Sequence, residues 1–281
     1  RHGVAAADTR ERLMTDFVAV RGIVVHHQRA GSGPDVIWGH GLTSSMAGED
    51  ELGVVDHRRL ASVASLVRYD ARGHGLSGLS PALADYRWDA LALDQLALAD
   101  GLGIERYAAG GASMGAATAL HAAVTAPRRI SALILMVPPT AWETRAAQVD
   151  LYHRKAELID ARGVEPLIAA DRLTPPPDPF AGNDWWYERS ARALRSTDPA
   201  RTAQVLRGAG SADLPPRAAV ADIDVPVLLL AWTGDQGHPL STAEELHELM
   251  AHSTLFVASS RDQLETWTGH IIDFLRSVLP A

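Results

Sequence analysis

Short apolar runs, separated by helix-length amphipathic stretches, recur along this chain of 281 residues. Segments 16–20 and 23–28 alternate apolar and polar positions around Arg21-Gly22, which predicts an antiparallel hairpin. Gly31-Ser32-Gly33-Pro34 is a turn, and Val36-Ile37-Trp38 after it reads as a short buried strand. A helix closes over 60–64 and the next strand is 66–69. Leu91, Leu96 and Leu98 give 86–101 a helical spacing that stops at Gly101. Further buried strands are predicted over 107–109, 130–137 and 225–231, then a last strand over 253–258 and a last helix over 262–279. Strands alternating with helices predict an α/β fold, a mostly parallel sheet with helices on both faces. In such a sheet, reactive groups gather at the C-terminal ends of the strands.

The alternation lapses over 138–222. This stretch holds helix-like segments, the loop Thr174-Pro175-Pro176-Pro177-Asp178-Pro179 and the aromatic cluster Trp185-Trp186-Tyr187. It is expected to be a helical cap set between two parts of one core, 14–137 and 223–281. The aromatic cluster reads equally as the lining of an apolar pocket and as the cap's own core. Residues 1–13, polar and Ala-rich, are expected to be a disordered extension.

Composition narrows the function. A hydrophobic content of 47% with 21% charged residues suits a globular protein, and a net charge of −8 does not resemble a nucleic-acid footprint. The chain has no cysteine, which removes disulfides, thiolate metal sites and cysteine nucleophiles. No apolar stretch has bilayer length. The expectation is a cytoplasmic protein acting on a small molecule, without nucleic acid or membrane; a homodimer stays open.

One short motif carries chemistry. Gly111-Ala112-Ser113-Met114-Gly115 is G-x-S-x-G placed between a predicted strand and a predicted helix. Such a turn is tight enough to need small residues. It exposes the serine hydroxyl at a strand end, beside amides at a helix N-terminus. A nucleophile and an anion-stabilising site would arise together. Two other motifs carry less. Gly73-His74-Gly75-Leu76-Ser77-Gly78 spells G-x-G-x-x-G but runs into Leu79-Ser80-Pro81 where a dinucleotide site would open a helix. His247 and His252 are five residues apart, about 140° around a helix, too far round to grip one zinc ion. Neither metal nor cofactor is expected.

Four segments together resemble the α/β-hydrolase family across 16–279. They are His40-Gly41-Leu42, the loop Asp70-Ala71-Arg72-Gly73-His74-Gly75-Leu76-Ser77, the Ser113 motif, and Gly234-Asp235-Gln236-Gly237-His238-Pro239 after the penultimate strand. The resemblance implies that Ser113 is a nucleophile and that the backbone amides of Leu42 and Met114 form an oxyanion hole. Losing one such donor typically costs about 3 kcal/mol of transition-state stabilisation. Asp70 and Arg72 are expected to hold their own glycine-rich loop.

The chain departs from the family at the base. The family places a histidine after the last strand, where this chain has Ser259-Ser260-Arg261-Asp262. A serine hydroxyl without a base is a poor nucleophile at neutral pH. By position, His252 lies at the wrong sheet edge, and His247 and His270 lie inside helices. His40, His74 and His121 are explained by packing or turns. His238 follows a strand at the right edge and is expected to replace the missing base, oriented by Asp235 or by Asp262. The reading is a serine hydrolase that cleaves an ester, lactone or thioester through an acyl-enzyme, with a small apolar acyl substrate. Two others are kept: a ligand-binding or receptor-like protein with little turnover, and a lyase or cyclase using the same pocket.

Overall fold

The computed structural model describes residues 14–279. The expectation for 1–13 lies outside the described residues. Strands β1 (Met14–Val20) and β2 (Ile23–Ala30) form the hairpin. Strand β3 (Asp35–Gly39) follows, then helices α1 (Met46–Leu52) and α2 (His57–Ala61) lead to β4 (Ser65–Tyr69). Helix α3 (Trp88–Gly101) leads to β5 (Tyr107–Ala112), and α4 (Met114–Thr125) to β6 (Ile130–Met136). Helices α5 (Arg145–Arg162), α6 (Glu165–Asp171), α7 (Trp185–Ser196), α8 (Pro199–Ala209) and α9 (Arg217–Ala221) intervene before β7 (Val227–Trp232). Helix α10 (Leu240–Leu249), β8 (Ser253–Ala258), α11 (Arg261–Glu265) and α12 (Trp267–Val278) complete the described chain.

Among the described residues the eight strands make one sheet in the order β1-β2-β4-β3-β5-β6-β7-β8. The β1–β2 and β2–β4 pairs are antiparallel, and every pair from β4 to β8 is parallel. Chain order reverses between β3 and β5. A crevice opens at such a reversal, outside the strands' C-terminal ends. His40-Gly41-Leu42 leaves β3 there, and Ser113 leaves β5.

Both faces of the parallel strands are covered, so these strands are apolar throughout instead of alternating. Ile37, Val67, Ala109, Leu133 and Leu229 turn to one face, against α3 and α4. Val36, Leu66, Ala108, Ile134 and Leu228 turn to the other, with Trp267 and Ile271 of α12. Alanines at 116, 117, 119, 122 and 123 are buried along α4, and their small size lets this helix lie close to the sheet.

The helices between β6 and β7 bury a separate apolar cluster, including Ile159, Leu167, Leu194 and Leu206. Arg145 anchors them: its Nε donates to the Ala212 carbonyl, its Nη2 to that of Ala209, and its guanidinium lies over the Trp88 ring of α3.

Several elements end at other residues than the sequence predicts, among them β5, which runs on to Ala112, and two helices. The helix before β4 ends at Ala61, ahead of 64. The final helix is broken at Thr266, whose amide and hydroxyl both bond the Gln263 carbonyl and tighten the turn. No helix among the described residues is long and apolar enough to cross a membrane.

Candidate active site

Ser113 sits at φ +51°, ψ −108°, a left-handed conformation strained for an L residue. The strand's exit forces it. Ser113 N–H still bonds the Met136 carbonyl of β6, and the Ser113 carbonyl already accepts from Ala117 of α4. Strand pairing and helix therefore meet at one residue. A Cβ on Gly111 or Gly115 would run into the Gly39 carbonyl, so the elbow packs backbone to backbone on the end of β3. That contact brings the loop after β3 over the serine: a Cβ on Gly41 would lie 3.7 Å from that of Ser113. Leu42 follows in a turn closed by Ser44 N–H on the Gly41 carbonyl. Met114 opens α4, so its amide has no carbonyl four residues back within the helix.

His238 Nε2 lies 2.7 Å from Ser113 Oγ, and His238 Nδ1 lies 2.8 Å from Asp235 Oδ2. The loop after β7 makes this possible by folding on its own aspartate. Asp235 Oδ1 accepts from the amides of Gly237 at 2.8 Å and His238 at 3.3 Å, and Oδ2 also accepts from the Trp232 indole N–H at 2.9 Å. Thr140 N–H pins the loop through the Gly237 carbonyl. A carboxylate facing Nδ1 selects the tautomer with hydrogen there, which leaves Nε2 to accept the serine proton. Burial pushes the Asp235 carboxyl up, but the facing imidazole, the indole N–H and the Gly237 amide outweigh it and hold this acid well below the usual carboxylate range. Asp262, the other acid considered, is exposed in the first turn of α11. In the segment that lacks the usual histidine, Ser260 instead caps α11 through the Gln263 amide.

The remaining histidines have other partners. His40 Nε2 accepts from Ala71 N–H and His74 Nε2 from Thr43 N–H, with the two rings edge to face 5.0 Å apart. Burial pushes His74 down to about 3, so it is neutral and shapes the loops. His121 Nε2 donates to the Asp213 carbonyl, His252 faces Asp224 at the surface, and His270 stacks on Phe256. Asp70 holds its loop as expected, accepting from the Met46 and Leu76 amides. Arg72 does something different from the expectation. It bonds both Asp94 oxygens at 2.8 Å and the Arg21 carbonyl, tying the loop to α3 and to the hairpin turn.

A cavity of about 280 Å³ opens over Ser113 and His238. Its apolar lining includes Leu167, Leu194, Leu206, Trp186 and Trp232. Of the aromatic cluster, Trp186 lines this cavity, Trp185 and Trp186 pack on Phe180, and the Tyr187 hydroxyl bonds the Thr174 carbonyl. Its polar lining includes Glu49, Tyr152, Lys155, Asp171 and Arg189. Sequence reasoning missed Glu49 and Arg189. The one available signal for Glu49 was its place three residues after Met46, on the inward face of a short helix beside the His40-Gly41-Leu42 loop. Among the described residues, no three His, Asp or Glu side chains are grouped to hold a metal ion.

Comparison with known proteins bears on the family and the fold. The sequence model of the family described as alpha/beta hydrolase fold matches residues 34–261. The chain is 28% identical over 195 residues to 3-oxoadipate enol-lactonase 1 of Acinetobacter baylyi, covering 69% of this chain and 68% of that enzyme. It is 37% identical over 131 residues to N-formylmaleamate deformylase of Pseudomonas putida, covering 46% and 47%. Its fold is similar to that of a thermophilic esterase from Thermogutta terrifontis, with a TM-score of 0.79 at 21% identity, over 95% of this chain and 99% of that one.

Proposed function

The chain belongs to the alpha/beta hydrolase fold family, and from that premise we propose that it is a serine hydrolase cleaving a carboxylic ester, lactone or thioester through an acyl-enzyme. The observation that carries the proposal is the 2.7 Å approach of His238 Nε2 to Ser113 Oγ.

In this reading Ser113 Oγ attacks the substrate carbonyl while His238 Nε2 takes its proton. Asp235 keeps the imidazole turned and steadies the positive charge that forms. The amides of Leu42 and Met114 receive the carbonyl oxygen as it becomes an oxyanion. Collapse of the tetrahedral intermediate expels the alcohol or thiol, which leaves with the proton from His238. Water then attacks the acyl carbonyl as His238 takes its proton, and collapse releases the acid while His238 returns that proton to Ser113 Oγ. The base thus comes from the loop after β7, which also supplies the acid, and the turn after β8 is free to be a helix cap. Helices α5 to α8 act as a cap that shields the acyl-enzyme from bulk water.

The relatives support acyl transfer to water as the class of reaction. One is named for an enol-lactone and the other for removing a formyl group from nitrogen; both names describe transfer of an acyl group to water. A receptor-like role rests on the absent histidine, and His238 beside Ser113 weighs against it.

A fluorophosphonate probe tests the proposal. It should label Ser113, and p-nitrophenyl butyrate should be turned over by the native protein but not by S113A. H238A should lose most of that turnover. Labelling without turnover would favour a binding role, and product formation surviving S113A would favour a lyase or cyclase.

A further inference from the structure

We infer that the pocket beside Ser113 takes a substrate bearing a carboxylate, which Arg189 of α7 binds next to Glu49 of α1. This names a substrate class for the site and so rests on the pocket's being the substrate site proposed above. It adds a charged group to the small apolar acyl substrate expected from the sequence.

Arg189 lines the cavity with its Nε buried and, among the described residues, without a hydrogen-bond partner. Its Nη2 is fixed by the Gly48 carbonyl at 2.8 Å, which sets the plane of the guanidinium. None of the described carboxylates makes an ion pair with it. Glu51, the nearest on α1 in sequence, is taken by Arg192, and the other cation in the cavity, Lys155, is paired with Asp171 at 3.1 Å. A cation partly removed from water without a counter-ion costs free energy that an anion entering the cavity would recover. A guanidinium fork suits the two coplanar oxygens of a carboxylate.

Glu49, an acid in the same cavity, would oppose an anion if it were ionised at neutral pH. It does not, because burial pushes its carboxyl up to about 8, against the pull of Arg68 and of the Trp38 indole N–H that bonds it. At neutral pH its carboxyl is therefore mostly protonated and uncharged. The groups facing it are Arg68 of β4 at 3.9 Å, His57 of α2 at 3.8 Å, Asp50 on its own helix, and Arg189. Asp50 is bonded to both Arg68 and His57. When Glu49 ionises, it competes with the ligand carboxylate for Arg189 and repels it. Binding of the carboxylate should therefore weaken as pH rises through about 8.

Calorimetric titration with glutarate, and with the neutral isostere glutaramide, reads the site without turnover. Glutarate is expected to bind at least tenfold more tightly at pH 7. R189Q should remove that preference, a loss of about tenfold to a hundredfold. The preference should fade above pH 8 in the native protein and persist there in E49Q. Equal affinities for the two ligands, or a preference that survives R189Q, would overturn the inference. Should R189Q not fold, the E49Q pH profile decides, and a profile identical to the native one counts against it. Ester turnover dependent on Ser113 but indifferent to these ligands would leave the hydrolase reading standing and this inference refuted; carboxylate binding without turnover would do the reverse.

Discussion

The Trp232 indole N–H donates to Asp235 Oδ2, the same oxygen that faces His238. The last residue of β7 thus orients the acid from inside the sheet edge, while its ring packs edge to face on His238 and stacks on Trp267 of α12. W232F keeps most of the packing and removes only the donor. It should lower kcat for p-nitrophenyl butyrate about fivefold to tenfold, the value of one hydrogen bond of about 1 kcal/mol, with KM nearly unchanged. A kcat equal to the native value would mean that Asp235 is held by the loop amides alone.

Strain at Ser113 separates two substitutions that both remove the hydroxyl. S113G relieves the left-handed backbone, whereas S113A does not. The relief is opposed by the greater freedom of glycine in the unfolded chain. S113G should still be more stable than S113A by about 1 kcal/mol, or about 2–4 °C in thermal melts, with both inactive.

G115A should be among the most damaging single methyl additions. The added carbon meets the Gly39 carbonyl oxygen and carbon of β3, and Gly39 cannot yield without disturbing its pairing with Gly111 of β5. A loss of about 3 kcal/mol or more is expected in denaturant melts, together with loss of fluorophosphonate labelling. Native-like labelling of a well-folded G115A would show that the elbow tolerates a wider gap.

Glu49 makes a pH signature in stability. Its folded value of about 8 lies above that of an unfolded glutamate. The stabilisation it confers is therefore complete below the unfolded value and is lost as pH rises toward 8, by an amount on the order of a few kcal/mol. Buried His40, His57 and His74, all pushed down by burial, act in the opposite direction, but they are common to both proteins. Urea melts at pH 5 and pH 8 should show a smaller loss for E49Q than for the native protein. An equal loss in the two would indicate that Glu49 is solvated.

Most of the architecture was legible in the pattern of the chain. Buried parallel strands must be apolar on both faces, so runs such as Leu133-Ile134-Leu135 and Leu228-Leu229-Leu230 announce themselves. The Ser113 elbow was legible because its glycines have a steric reason that survives without coordinates. Local terms shifted the ends of elements: β5 runs on to Ala112, and Thr266 breaks the final helix, because side-chain-to-backbone bonds and strand pairing act at the scale of one residue.

What the sequence alone determined was which groups reach the crevice: the loop after β3, the serine after β5 and the segment 234–239 after β7, all carried there by parallel strands. It could not choose between Asp235 and Asp262, since both follow strands at the same edge. The fold puts Asp235, not Asp262, beside His238, because the loop after β7 turns on the Asp235 side chain and brings His238 to Ser113. It also decided the character of the cavity. Glu49 and Arg189 are far apart in the chain, and only packing α7 over α1 places them together, where burial sets the charge of one and leaves the other without a counter-ion.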